Sequence, residues 1–118
     1  MAGDYRDLRV WQRATDLVVM IYAATRRFPR EERFGLSAQM RRAAVSAAAN
    51  IAEGNSRLHR GEYIHPASVA RGSLSELRTH LELARRLELI DPRAFAECEN
   101  QTSEVIRLLQ RLITRLRE

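Results

Sequence analysis

Lysine is absent from this sequence of 118 residues: all 20 basic residues are arginine, set against 15 acids for a formal charge of +5. Two readings of that stay open, a planar guanidinium fork chosen for phosphate and carboxylate, or a genome's codon preference. Cysteine is nearly absent as well. With Cys98 alone no intramolecular disulfide can form, and the N-terminal MAGDYRDLRV lacks the apolar core of a signal peptide, so the expected compartment is the cytoplasm. The most apolar unbroken run, Leu17 to Thr25, falls well short of the roughly 20 residues needed to span a bilayer. Aromatics make up 6%, and there are five glycines and three prolines. Leu, Ala, Arg and Glu fill the space instead, a helix-forming composition that predicts an all-α domain. A chain of this size buries roughly two-thirds of its unfolded surface without disulfide or metal.

Four helices follow from periodicity and punctuation. Val10, Trp11, Ala14, Leu17, Val18, Ile21 and Tyr22 recur at helical spacing, predicting helix 1 over about 7–27. Pro29 stops it, and Ser37 reads as the N-cap of helix 2, about 38–53, with Gly54 as its C′ residue. Helix 3, about 66–89, carries Ala70, Leu74, Leu77, Leu81 and Ala84; either it begins at Pro66 or a short preceding turn is kinked there. Asp91-Pro92 reads as N-cap and first residue of helix 4, about 92–117. Its heptad of Phe95, Cys98, Thr102, Val105, Leu109, Leu112 and Leu116 suits left-handed bundle packing. Ile106, Ile113 and Leu108 add apolar surface, which either thickens the core or faces another subunit. The expected architecture is one domain, an antiparallel, left-handed, up-down four-helix bundle.

Helix 2 is unusually thin. In RRAAVSAAANIAEG, residues 41–54, Met40, Ala43, Ala44, Ala47 and Ile51 point one way, with Ser46, Asn50 and Glu53 along the edge of that face. Small side chains admit a close neighbour, and Gly72 in mid-helix 3, costing about 1 kcal/mol relative to alanine, is expected to mark that close contact. Ser73, Glu76 and His80 form a polar line on helix 3. The two polar lines either hydrogen-bond to each other or across a subunit boundary, or stay solvated.

Three blocks, DLRVWQRA, FPREERFGLSAQMRRAAVSAAANIAEGNSR and ARGSLSEL, resemble the signature of the four-helix-bundle proteins encoded in intervening sequences of 23S rRNA genes, the S23 group. The resemblance spans about residues 7–90. It implies an antiparallel bundle assembled as a ring, typically a homopentamer, with no established enzymatic activity. The chain is more distantly similar to the accessory protein of diversity-generating retroelements, a basic pentameric bundle that associates with nucleic acid and a reverse transcriptase. Ser46, Asn50, Ile51, Glu53, Gly54, Arg57, Gly72, Ser73 and Glu76 sit where the family motif has its characteristic residues. Relatives usually carry a Phe-Leu pair where this chain has Pro66-Ala67.

Catalytic and metal chemistry find little support. Glu62 and His65 have the Glu-x-x-His spacing of bundle di-metal sites, but without a second pair. Ser73 lacks a nucleophile elbow, and Cys98 lies on the heptad seam where a buried thiol is ordinary. No cofactor is expected, and a non-enzymatic binding protein is the reading. Residues 1–60 hold eleven arginines against six acids, whereas 61–118 hold nine of each. Arg26, Arg27, Arg30, Arg33, Arg41 and Arg42 would gather at one bundle end; Arg6, Arg9, Arg57 and Arg60 would gather at the other. Arg107, Arg111 and Arg115 add a stripe at i+4 steps. A ring of such chains would attract nucleic acid, most plausibly RNA, through its backbone rather than its bases. The alternatives are a protein–protein scaffold or accessory subunit without nucleic-acid contact, such as a partner of a nucleic-acid-processing protein, and a merely solvated basic surface.

Overall fold

The computed structural model describes residues 5–57 and 59–118. After a short 3-10 turn at Tyr5–Asp7, four α-helices follow: α1 (Arg9–Thr25), α2 (Leu36–Asn55), α3 (Arg60–Arg86) and α4 (Pro92–Leu116), with a second 3-10 turn at Arg30–Glu32 between α1 and α2. Each helix packs on the next in the chain, and α4 closes back onto α1, while α1 and α3, like α2 and α4, share no face. Side-chain contacts give the directions. Ser46 meets Ser73 and the Gly54 position meets Tyr63 between α2 and α3. Arg71 meets Gln110 and Arg78 meets Glu99 between α3 and α4. Numbers fall on one helix as they rise on the next, so the neighbours run antiparallel, in a body of 44 × 22 × 20 Å.

The core is aliphatic and follows the expected stripes: Val10, Ala14, Leu17 and Ile21; Met40, Ala43, Ala44, Ala47 and Ile51; Ala70, Leu74, Leu77, Leu81 and Ala84. Thr102 is fully buried and satisfied, its hydroxyl donating to the Cys98 carbonyl at 2.7 Å.

Several helix boundaries differ from expectation. Ser37 is not the N-cap of α2: Glu32 Oε1 accepts from the Leu36 N–H at 3.3 Å, so the helix opens earlier and Ser37 is buried inside it. Gly54 is not past the end of α2 but within it, the helix running on to a C-cap at Ser56. Helix α3 starts six residues before Pro66, at Arg60. The His59 N–H donates to Glu62 Oε1 at 3.2 Å, and Tyr63 is completely buried. An interior proline costs about 3 kcal/mol, and burying a large aromatic side chain offsets it.

The seam of α4 also departs from the expected heptad. It buries Cys98, Thr102, Val105, Leu109, Ile113 and Leu116, with Leu112 only half-buried. Steps of four, three, four, four and three residues follow the 3.6-residue period of a straight helix rather than a heptad. Ile113 thus takes the core place expected of Leu112. Helix boundaries elsewhere shift little. Asp91 Oδ1 accepts from the Ala94 N–H at 2.8 Å, with Pro92 opening α4 as expected. Beyond α3, Glu88 adopts φ 58° and the Leu89 N–H donates to the Ala84 carbonyl, a left-handed helix stop.

Candidate nucleic-acid interface

The antiparallel order sorts the arginines by end. At the α1–α2 end, Phe28 is buried as a plug, and the segment around it exposes Arg26, Arg27, Arg30 and Arg33. None of these four has an ion-pair partner among the described residues. The Arg33 guanidinium lies 5.2 Å from the centroid of the Phe34 ring, and Phe34 is 86% exposed. Arg26, Arg30 and Arg33 rim a shallow cleft of about 270 Å³, with Arg41 on its inner wall. Arg27 opens instead onto a neighbouring depression with Arg93, where Asp91 and Glu97 offset its charge.

Arg41 does not belong to the exposed set. Its Nε donates to the Thr25 hydroxyl at 2.8 Å, its Nη2 to the Tyr22 carbonyl at 3.5 Å, and its guanidinium covers the Tyr22 ring at 4.4 Å. It ties α2 to the last turn of α1, where a cation also complements the helix dipole. Arg42 is exposed on the α3 side, close enough to His80 to disfavour its protonation. The expected cluster of six therefore divides.

At the opposite end, α1 begins at Arg9 and the preceding 3-10 turn packs on α1 and α2, leaving a flank of α4 uncovered. The result is an open groove of about 680 Å³. Leu8, Val10, Leu108 and Leu112 form its floor, and Arg9, Arg107, Arg111 and Arg115 its rim. Arg107 and Arg111 have no ion-pair partner among the described residues, while Arg9 and Arg13 approach Glu104 at 3.9 and 3.5 Å. Arg57 pairs with Glu53 at 2.5 Å, and Arg60 donates to the Arg115 carbonyl. The first contact is local, four residues apart at the end of α2, whereas the second ties the start of α3 to the last turn of α4. The stripe on α4 was legible in the sequence, and so was Leu108 as surplus apolar surface; that Leu8 and Leu112 would lie beside it was not.

The motif residues along α2 and α3 separate by burial. Ser73 donates to the Ser46 hydroxyl at 3.1 Å, and Asn50 Nδ2 donates to the Ser46 carbonyl at 2.9 Å. This is the expected link between polar lines, shortened to three residues. Glu53 and Glu76 stay at the surface, Glu76 beside His80 Nε2 at 3.4 Å. Ile51 is core. Gly54 is where the helices come closest, since a Cβ there would overlap the Tyr63 ring. Gly72, expected to mark that closeness, has nothing within 4 Å of a Cβ position. Burial drives the chemistry of the enclosed groups: it pushes the Tyr63 phenol up to about 12 and, with help from Glu97, the Cys98 thiol up to about 11. Among the described residues no three His, Cys, Asp or Glu side chains come together to hold a metal, and no helix is long and apolar enough to cross a membrane.

A protein of unknown function from the S23 ribosomal protein family of Bacteroides thetaiotaomicron is similar in structure, with a TM-score of 0.79 at 26% identity over 88% of this chain and 97% of that one. No curated protein matches. The family model of the 23S rRNA-intervening sequence proteins matches residues 6–111, nearly the whole bundle with both of its basic ends, and the chain belongs to that family.

Proposed function

We propose that the chain is a non-enzymatic, homo-oligomeric RNA-binding protein whose RNA contact is the α1–α2 end. The observation that carries this reading is the Arg33–Phe34 pair, a guanidinium fork against a ring that is 86% exposed, at a cleft whose rim Arg33 shares with Arg26 and Arg30. Arginine forks match phosphate bidentately, and an exposed ring next to them stacks an unpaired base. Duplex grooves give such a ring no purchase, which favours single-stranded loops of a folded RNA. A ring of chains each carrying +5 would raise the local field and steer the polyanion in.

Fluorescence-anisotropy titration of a labelled stem-loop RNA, single-stranded DNA and duplex DNA, across low to physiological salt, tests it. Log affinity for the stem-loop should fall linearly with log salt, and Arg30→Gln with Arg33→Gln should flatten the slope by roughly 0.7 to 0.9 for each phosphate that the arginines had neutralised. Phe34→Ala should weaken binding by about 1–3 kcal/mol at every salt concentration without altering the slope. Absence of binding by an intact oligomer at low salt would remove RNA from the account and leave a protein-only scaffold.

A further inference from the structure

The small cleft at the α1–α2 end gathers more positive charge than one strand of nucleic-acid backbone brings negative charge to it. Arg30 opens a 3-10 turn and Arg33 caps it, and side chains three residues apart on such a turn eclipse, so both guanidinium forks fall on one side. Arg26, at the end of α1, completes the rim, and none of the three has an ion-pair partner among the described residues. Arg41, already held by Thr25 and Tyr22, adds a fourth positive charge from the inner wall. Among the described residues no carboxylate and no histidine lines the cleft. Like charges gathered around about 270 Å³ repel one another, and an anion seated among them would offset that repulsion.

A second observation is independent of the arginines. Ser37 also lines the cleft, is only 6% exposed, and its hydroxyl has no hydrogen-bond partner among the described residues. A buried hydroxyl left without a partner is costly, and alanine would suit the helix better. Ser37 stands in the first turn of α2, where unsatisfied N–H groups and the helix dipole favour negative charge. An acceptor oxygen entering here would satisfy the hydroxyl and meet the positive end of α2 together.

The chemistry of the cleft distinguishes between kinds of phosphate. A phosphodiester within a strand carries one negative charge, and its strand must leave the cleft on both sides. A phosphate monoester carries a charge of about −1.5 to −2 at neutral pH with three strong acceptor oxygens, and it enters from one side only. We propose that the cleft between Arg26, Arg30, Arg33 and Ser37 is a socket for the terminal phosphate monoester of an RNA strand. The Arg30 and Arg33 forks and the Ser37 hydroxyl donate to its oxygens. Arg33 also faces the Phe34 ring at 5.2 Å, so the nucleotide that carries the phosphate finds a stacking platform beside it. The socket rests on the α1–α2 end being the RNA contact, and it names the part of the RNA held there.

Anisotropy titrations of one short single-stranded RNA in three forms, with a 5′-phosphate, with a 3′-phosphate and with hydroxyls at both ends, test it at fixed salt. One of the phosphorylated forms should bind about tenfold tighter or more than the hydroxyl form, the effect of an added charge-assisted contact. That preference should shrink as pH falls from 7.5 to 5.5, because the ester takes up its second proton at about 6 and no carboxylate or histidine among the described residues lines the cleft to titrate with it. Ser37→Ala should cut the preference severalfold with unchanged helical circular dichroism, and Arg30→Gln with Arg33→Gln should abolish it. Adenosine 5′-monophosphate as competitor separates the sources of the phosphate. Displacement only at concentrations far above that of the phosphorylated RNA assigns the socket to a strand end, whereas displacement at matching concentrations would overturn RNA as its occupant in favour of a free nucleotide. Equal binding of all three RNA forms would overturn the socket and leave the RNA contact standing. A folded chain that binds none of them would remove the RNA reading itself.

Discussion

Arg30 and Arg41 are the same residue type at the same bundle end, and they do different work. Arg30 is exposed without an ion-pair partner, while Arg41 is spent on Thr25 and Tyr22. Sequence charge counts alike what burial separates, because the partner of Arg41 comes from another helix. His80 shows the same dependence on its neighbours. Burial lowers its pKa below the ordinary 6.5, Glu76 opposes that, and Arg42 reinforces it. The folded state thus resists a proton that the unfolded state takes up. Stability from this group is unaffected above pH 6.5 and declines as pH falls through 6.5 toward the lower folded value, by at most about 1.4 kcal/mol per pH unit for one proton. Denaturant titrations from pH 7.5 to 5.5 should show that decline, and His80→Leu should flatten it. An unchanged decline in His80→Leu would assign the titration elsewhere.

Among the elements, local chemistry was legible and tertiary compensation was not. Asp91-Pro92 opens α4 as the sequence indicates, since cap and proline act within one turn. Pro66 misleads because its local preference is outweighed by Tyr63, a ring buried against α2 at the one place where α2 has no side chain. Gly54 and Tyr63 are a matched pair. Gly54→Ala, a change that favours a helix by propensity, should therefore destabilise the protein by about 1–3 kcal/mol through overpacking. Thermal melts of Gly54→Ala and of Gly72→Ala should shift in opposite directions from the wild type, although both replace a helical glycine by alanine, because a Cβ at 72 meets nothing within 4 Å and gains helix propensity. Equal shifts would show that the α2–α3 contact is looser than the geometry gives.

At the scale of the whole molecule, four amphipathic stripes made the bundle readable, whereas its surfaces depend on where helices begin relative to one another. The groove exists because α1 starts at Arg9 beside the last turns of α4, a relation between residues at opposite ends of the chain. The two basic regions therefore sit at opposite ends of one bundle and can be tested apart. If RNA is held at the α1–α2 end, Arg30→Gln with Arg33→Gln should weaken binding and flatten its salt dependence, because fewer phosphates release their counterions. Arg107→Gln with Arg111→Gln, at the far end of α4, should leave both nearly unchanged. Anisotropy titrations of the two double variants across the same salt range compare them directly. Equal losses would mean that the polyanion follows the charge of the whole molecule and that the α1–α2 end is not a distinct contact surface.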